Sequence, residues 1–432
     1  MVYIYNMDFL LNIPVLIKIL VSLAIILACD RLIHNLIISM CIGTTVLAFW
    51  SGHSFLDILK ITTTTVISID YIILVSMIFM LITLSVQLKE VKLMNDLVES
   101  LRARLSGKSL IAVVPAIIGL IPMPGGALFS APLVDDCDNE KSLDSYTKTK
   151  INYWFRHIWE FWFPLYAGVI LAIKITGLEI WQLVAINLPL TIFMALGGYI
   201  FLLRKLKIEE TEKKGKNNPI LKYLSPIISI ICFYSLILLL IPQIKSVSTY
   251  LPMGISIVIT IILIQIFKPL SARTWVKILF TKNNGEMILL IAIITIYAAF
   301  IESKLPNGRY LMEIMKDELS SAGIPILLLT IILPLASGLA TGVAFGFVGT
   351  SFPIIVSLLG KDPALATLLS TVVLAYASGH VGQLLSPVHV CNIVTNKYFK
   401  TNLLKATMEI APICIFIFAG AAFSITIINI LF

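Results

Sequence analysis

The stretch "GLIPMPGGALFSAPLVDD" (Gly119–Asp136) decides the fold. Pro122 and Pro124 run into the adjacent Gly125 and Gly126, and the apolar flank on each side is too short to cross a bilayer. A helix crossing hydrocarbon normally avoids such a break, because each unsatisfied backbone group there costs several kcal/mol. The surrounding chain is nonetheless a membrane sequence. Apolar residues make up 58% of its 432 positions and charged residues 13%, against about 45–50% and about 25% in soluble domains. The expected class is therefore an all-α polytopic membrane protein with a deliberate interruption.

Other runs are long enough to span. They fall near 11–29, 32–50, 67–88, 154–174 and 180–203, then near 221–241, 250–267, 286–303, 364–395 and 404–432. The first lacks a basic leader and a small-residue cleavage site, so it reads as a retained helix. Two regions differ. Residues 109–134 and 324–359 are each a pair of short apolar segments around a Gly/Pro-rich break, the pattern of a re-entrant helical hairpin that enters and leaves on one face.

Charge supports that reading. With both regions taken as hairpins, 23 of the 32 basic residues fall on one side and 7 on the other. The rich side is then cytoplasmic, and both termini are extracytoplasmic. A full crossing at either region would switch every later loop and largely cancel the asymmetry. The net charge of +8 is thus spread over short loops, which is the positive-inside pattern and excludes nucleic acid as the partner it first suggests.

The two halves match in order: three spans, a hairpin, a polar-interrupted span, a final span. Residues 1–203 form one repeat and 220–432 the other, joined by a hydrophilic cytoplasmic linker at 204–219. The first hairpin dips from the cytoplasm and the second from outside, so the repeats are inverted, the arrangement of secondary transporters. "RHIWEFWFP" (Arg156–Pro164) and "GHVGQLLSP" (Gly379–Pro387) follow the hairpins in turn. In each, a His precedes a Pro by seven residues, with Glu160 or Gln383 three after the His.

A non-helical tip at mid-membrane is tolerable where it lines a polar cavity, and a half-helix starting there points N–H groups and a positive dipole end into it. Gly125, Gly126 and Ser130 are the candidate substrate ligands at the first tip. Thr341, Gly342 and Thr350, from "SGLATGVAFGFVGTS" (Ser337–Ser351), are those at the second. Gly346 and Gly349 read instead as packing glycines.

Ionisable residues inside spans are costly and usually face a cavity or one another. His157 and Glu160 in the first interrupted span, and His380, Gln383 and His389 in the second, are the candidates for proton or ion coupling. Ser386 and Asn392 join the substrate set, on one polar stripe with His389 at helical spacing. Arg156 could pair locally with Glu160 or reach the cytoplasmic surface. Trp154, Trp159 and Trp162 read as belt anchors or packing, "TTTT" (Thr62–Thr65) as an interfacial turn, and "DDCDNE" (Asp135–Glu140) as a solvated loop closed by Asp135. The six cysteines show no CxxC spacing and read as reduced packing residues. No metal site, catalytic group or cofactor is expected, and no nucleotide-binding GxxxxGK[ST] occurs.

"GLIPMPGGALFSAPLVDD", together with "SGHVGQLLSPVHVC" (Ser378–Cys391) and the following "TNKYF" (Thr395–Phe399), resembles domain-of-unknown-function family 401 of prokaryotic integral membrane proteins. The resemblance runs over essentially the whole chain. It implies membership of the ion transporter superfamily, beside gluconate permeases, citrate symporters, divalent-anion symporters and the arsenite permease. It also implies a scaffold with a moving substrate domain in the prokaryotic cell membrane. Divalent-anion symporters carry Ser-Asn-Thr at each tip. Here the tips read Pro-Gly-Gly and Ala-Thr-Gly, so neither dicarboxylate specificity nor sodium coupling carries over.

The expectation is a secondary active transporter of a small organic anion, a carboxylate or sugar acid, coupled to an H+ or Na+ gradient by elevator-type alternation. Residues 109–174 and 324–395 would move, and the remaining spans would form a scaffold and a homodimer contact within the lipid bilayer. The principal rival is an inorganic-ion or metalloid antiporter on the same fold. A channel ranks below it, and so does a membrane enzyme, since neither HExxH nor GxSxG occurs.

Overall fold

In a computed structural model of the chain, residues 13–105, 107–120, 126–138, 142–206, 219–280, 282–305 and 308–432 are described. Their regular structure is helical throughout, and among them the one β feature is an isolated bridge between Lys304 and Tyr310.

Polar caps cut the apolar sequence into rods. The first half opens with α1 (Val15–Ile33) and α2 (Leu36–Trp50), the latter capped by Asn35. A short surface helix, α3 (Phe55–Ile67), leads to α4 (Ile69–Glu90), and another, α5 (Leu93–Arg102), leads to the break region. Next come α6 (Gly107–Gly119) and α7 (Ala127–Asp135), then α8 (Ser145–Arg156), an unwound stretch, and α9 (Ala167–Thr176). The half closes with α10 (Ile180–Gly198), which ends in a π-helical turn, Tyr199–Leu203.

The second half repeats this order. Its members are α11 (Ile220–Leu240), α12 (Leu251–Phe267), short α13 (Ala272–Leu279), α14 (Lys282–Ile301) and short α15 (Leu311–Ser321). After them come α16 (Ile326–Thr341), α17 (Ala344–Leu359), α18 (Leu365–Leu385), a second unwound stretch and α19 (Val390–Phe399). Then α20 (Leu403–Ile410) and α21 (Ile415–Leu431) close it. The short surface helices thus occur at the same two places in each half.

Among the described residues, five helical stretches are long and apolar enough to cross a membrane: Ile69–Glu90, Ile180–Leu203, Ile220–Leu240, Leu365–Phe399 and Leu403–Leu431. A sixth results if α15 and α16, bent by 113° at their junction, count as one. Their outward faces carry exposed Ile192, Phe201, Leu239 and Ile430, as a lipid-covered surface requires.

Packing is reciprocal between halves. α1 packs on α2 as α11 does on α12; α2 packs on α14 as α4 does on α12; α7 packs on α19 as α9 does on α17; α10 packs on α21. The closest pair is α16 with α18, where a Cβ on Gly338 would run into the Gly379 carbonyl and one on Gly382 into that of Leu335. Without a hydrophobic drive between helices in lipid, such small faces are what allow close van der Waals contact.

Glycines sit at close approaches in both break regions. A Cβ on Gly119, at the end of α6, would strike the Arg156 carbonyl, and one on Gly126, at the start of α7, the Arg156 guanidinium. α7 then ends at Asp135, bonded to Lys148 about two turns earlier in α8. In the second half Gly342 adopts φ +66°, the left-handed region that glycine tolerates, and α17 starts two residues later. Gly349 packs against Ile294 and Gly346 against Thr341.

Ion pairs join segments that the charge reading places on one side. Lys148 pairs with Asp135 and Asp138, Lys150 with Glu409 and Lys268 with Asp96, all from the basic-rich side of that reading; Lys174 pairs with Asp70 and Lys245 with Glu179, from the basic-poor side.

Several local expectations need correction. Thr62–Thr65 is helical, within α3, because Thr63, Thr64 and Thr65 return their hydroxyls to carbonyls one turn back. Of the two readings of the tryptophans, packing holds and the belt does not: they donate inward, to Met194 O, Ala116 O and the Thr191 hydroxyl in turn. The loop after α7 is not simply solvated, since Asp138 is buried against Lys148 and accepts from the Ser142 and Leu143 amides. The first interrupted helix begins at Ser145, not near 154, because the Asp144 carboxylate caps Tyr146 and Thr147.

Candidate functional site

Two helices are broken, and the breaks meet. Residues 157–166 follow α8 as irregular turns, and 386–389 separate α18 from α19. Sequence composition alone does not hold the first stretch open. Its freed carbonyls are taken by side chains from elsewhere: Thr191 donates to Ile158 O at 2.5 Å, Tyr376 to Glu160 O at 3.0 Å and Asn187 to Phe161 O at 2.9 Å. At the second break Tyr153 donates to Leu384 O and Ser386 to Leu339 O. Buried backbone thereby stays satisfied without helix, which is the condition for irregular chain at membrane depth.

At the crossing Gln383 Nε2 donates to Glu160 Oε2 at 2.6 Å, although the two residues lie 223 apart in the chain. They are the matched positions of the two His-to-Pro segments. The other carboxylate oxygen of Glu160 is 3.7 Å from His157 Nε2, and His157 Nδ1 is 2.6 Å from Tyr153 O. That carbonyl can only accept, so Nδ1 carries the ring proton of a neutral His157 and Nε2 presents its lone pair. His157 and His389 meet edge to face with ring centroids 4.8 Å apart, and Tyr153 lies against both. His380 packs on Phe161 at 4.2 Å, fully buried, with neither ring nitrogen hydrogen-bonded.

All five expected coupling residues, His157, Glu160, His380, Gln383 and His389, therefore come together in one buried cluster. The expected substrate residues divide. Gly342 belongs here, since a Cβ on it would meet the His389 amide and the Ser386 hydroxyl. Gly126 lies under the guanidinium of Arg156. Ser130 is buried with its hydroxyl unbonded. Gly125 falls outside the described residues.

Thr341 and Thr350 return their hydroxyls to Ser337 O and Gly346 O, the carbonyls one turn back. Asn392 donates to Thr407 and accepts from Asn396, which commits its amide to anchoring α20 rather than to a ligand. Ser386, His389 and Asn392 do not form a helical stripe, because the chain is unwound between 386 and 389.

Four helices begin around this centre: α7 after Gly126, α9 after Tyr166, α17 after Val343 and α19 after His389. None of the four has a side-chain cap on its first amides. Tyr166 donates to Gly119 O and so ties the first break to the first tip; Gly168, in α9, abuts Ala344, the first residue of α17.

The sequence reading missed several contributors. Arg156 is only 3% exposed and sits at the first tip rather than at the surface. Tyr153, Tyr166, Tyr376 and Asn187 hold the breaks. Cys391, read as packing, joins His157 and His389 with donor atoms all within 4.8 Å of one another. A cavity of about 520 Å³ lies elsewhere, between α3 and the end of α14, lined by His53, Asp57, Lys60, Ser303 and Lys304. It shares no residue with the buried cluster, where His380, Gln383 and His389 each keep an unbonded polar atom.

A family described as proteins of unknown function, DUF401, matches residues 16–428, so the chain belongs to it. No curated protein matches the chain.

Proposed function

We propose that this member of the DUF401 family is a secondary active transporter of a small organic anion, driven by an H+ or Na+ gradient. The observation that carries the reading is the convergence of four helix N-termini without side-chain caps on a buried polar centre. Each such terminus presents unpaired N–H groups and roughly half a positive charge. Arg156 adds a full charge near the first tip. Together they exceed the single carboxylate of Glu160, so the centre attracts an anion.

The reciprocal packing supports an inverted duplication. Span two of each half meets span three of the other, and each return helix meets the far segment of the other half's broken span. Matching surface helices fall at matching places, and by the charge reading on opposite sides. In this architecture the α6–α7 and α16–α17 pairs are re-entrant hairpins. They move with the two broken helices against a scaffold of the remaining spans, in the manner of an elevator. The protein sits in the prokaryotic cell membrane with its termini outside, and scaffold spans offer the homodimer contact. His380, buried without a hydrogen-bond partner, is the group that proton coupling calls on.

The test is a thermal-shift screen of detergent-purified protein with carboxylates, sugar acids and oxyanions, with sodium or potassium at two pH values. It is followed by counterflow in proteoliposomes with any hit. Ligand at about a hundred times its dissociation constant adds about 2.7 kcal/mol. A carboxylate that shifts unfolding and exchanges across the membrane upholds the reading. Shifts by oxyanions or metal cations alone would replace it with an inorganic-ion carrier.

A further inference from the structure

We propose that His157, His389 and Cys391 bind one transition-metal ion of the zinc class where the two broken helices cross. The three ligand atoms lie within 4.8 Å of one another, and all three residues are buried. They come from the two breaks and the first turn of α19, so the cluster exists only when both halves are docked.

Two further features point to a metal rather than to packing. His157 Nδ1 is committed to the Tyr153 carbonyl, which is the outer-shell arrangement that fixes a metal-binding imidazole and turns Nε2 toward the ion. His389 Nδ1 is buried with no hydrogen-bond partner. Such an orphan in a native protein calls for an absent partner.

The donor set names the class of ion. One thiolate and two imidazoles suit zinc, cobalt or copper, whereas sodium, magnesium and calcium require oxygen. Bonds of about 2.0–2.3 Å bring tetrahedral ligands to about 3.3–3.5 Å apart. The donors, at most 4.8 Å apart, therefore draw in by up to about 1.5 Å on binding. Glu160 Oε1 lies 3.7 Å from His157 Nε2, beside the three donors, where its charge bears on the site. Binding a divalent ion displaces the Cys391 proton to solvent. With the Glu160 carboxylate, the thiolate and two neutral imidazoles then form a site of zero net charge, the state that burial favours.

The proposal does not rest on the transport reading, since its readout is binding alone. Full-length protein in detergent would be stripped with chelator and titrated with Co2+, then with Zn2+. One Co2+ per chain is expected, with the strong visible bands of four-coordinate cobalt and a thiolate-to-cobalt charge-transfer band, both removed by Zn2+. Cys391→Ser should abolish the charge-transfer band, and His389→Gln should weaken binding at least about tenfold. Absence of the thiolate band in the wild type would overturn the proposal. So would a band that persists in Cys391→Ser, which would place the metal on exposed Cys41 or Cys232. Should Cys391→Ser fail to fold, undiminished binding in His389→Gln would overturn it as decisively.

Discussion

The two broken helices do the same job by different means. The first comes apart over ten residues, 157–166, and the second over four, 386–389. The short break has a proline to enforce it: Pro387 removes a donor that a helix would need, while Ser386 returns its hydroxyl to α16 and Tyr153 donates to Leu384 O. The long one has no proline before Pro164 and is rich in residues that a helix would accept. It stays open because Thr191, Tyr376 and Asn187 supply donors to its carbonyls. The difference extends to charge. The acid Glu160 of one His-to-Pro segment faces the neutral amide Gln383 at the matched place in the other, as a single donor–acceptor pair.

Breaking that pair should have the largest effect. Gln383→Leu removes the donor to a buried carboxylate, and hydrogen bonds to charged groups contribute about 1.5–3 kcal/mol. Thermal unfolding of the purified variant should register a loss near the top of that range. Exchanging the two, Glu160→Gln with Gln383→Glu, should recover most of the loss. If the exchange is no better than the single variant, the pair is not the near-symmetric contact described here.

How much of this was legible beforehand follows from the same contrast. The second break announces itself as Ser-Pro, and the second short-segment pair as a Gly-rich interruption, so the outer bounds of α16 and α17 fall within a few residues of the expected 324–359. The first break has no such signal until Pro164. Its donors lie in other helices, Tyr376 more than two hundred residues away, and no local window contains them. Cys391 escaped for the same reason: metal-site spacings are sequence-local, while its partner His157 belongs to the other half. The start of α8 was readable from Asp144 as a cap, but hydropathy alone begins the span at the tryptophans.

A second contrast tests whether the long break depends on remote donors more than the short one. Tyr376→Phe and Asn187→Leu each leave a buried carbonyl unpaired, a loss of about 1–3 kcal/mol. Ser386→Ala removes the bond to Leu339 O and the longer one from the Val388 amide, both neutral, at a break that proline already enforces, so about 0.5–1.5 kcal/mol is expected. Denaturation midpoints of the three variants, measured side by side, should keep that order. Ser386→Ala as damaging as the other two would mean that both breaks rely equally on side-chain donors.

The smallest effect concerns the rim rather than the centre, and pH brings it out. Burial acts to raise the Asp138 carboxyl, but the hydrogen bonds from Lys148 and from the Leu143 and Ser142 groups outweigh it and hold the group below its usual 3.8. A carboxylate depressed on folding contributes stability that is full above the unfolded value and is lost as pH falls through the folded one. The wild type should therefore lose stability from this group below about pH 4. Lys148→Met should be less stable near neutrality, with a shallower fall over the same acid range. Unfolding temperatures at pH 7 and at pH 3.5 for both proteins measure the difference.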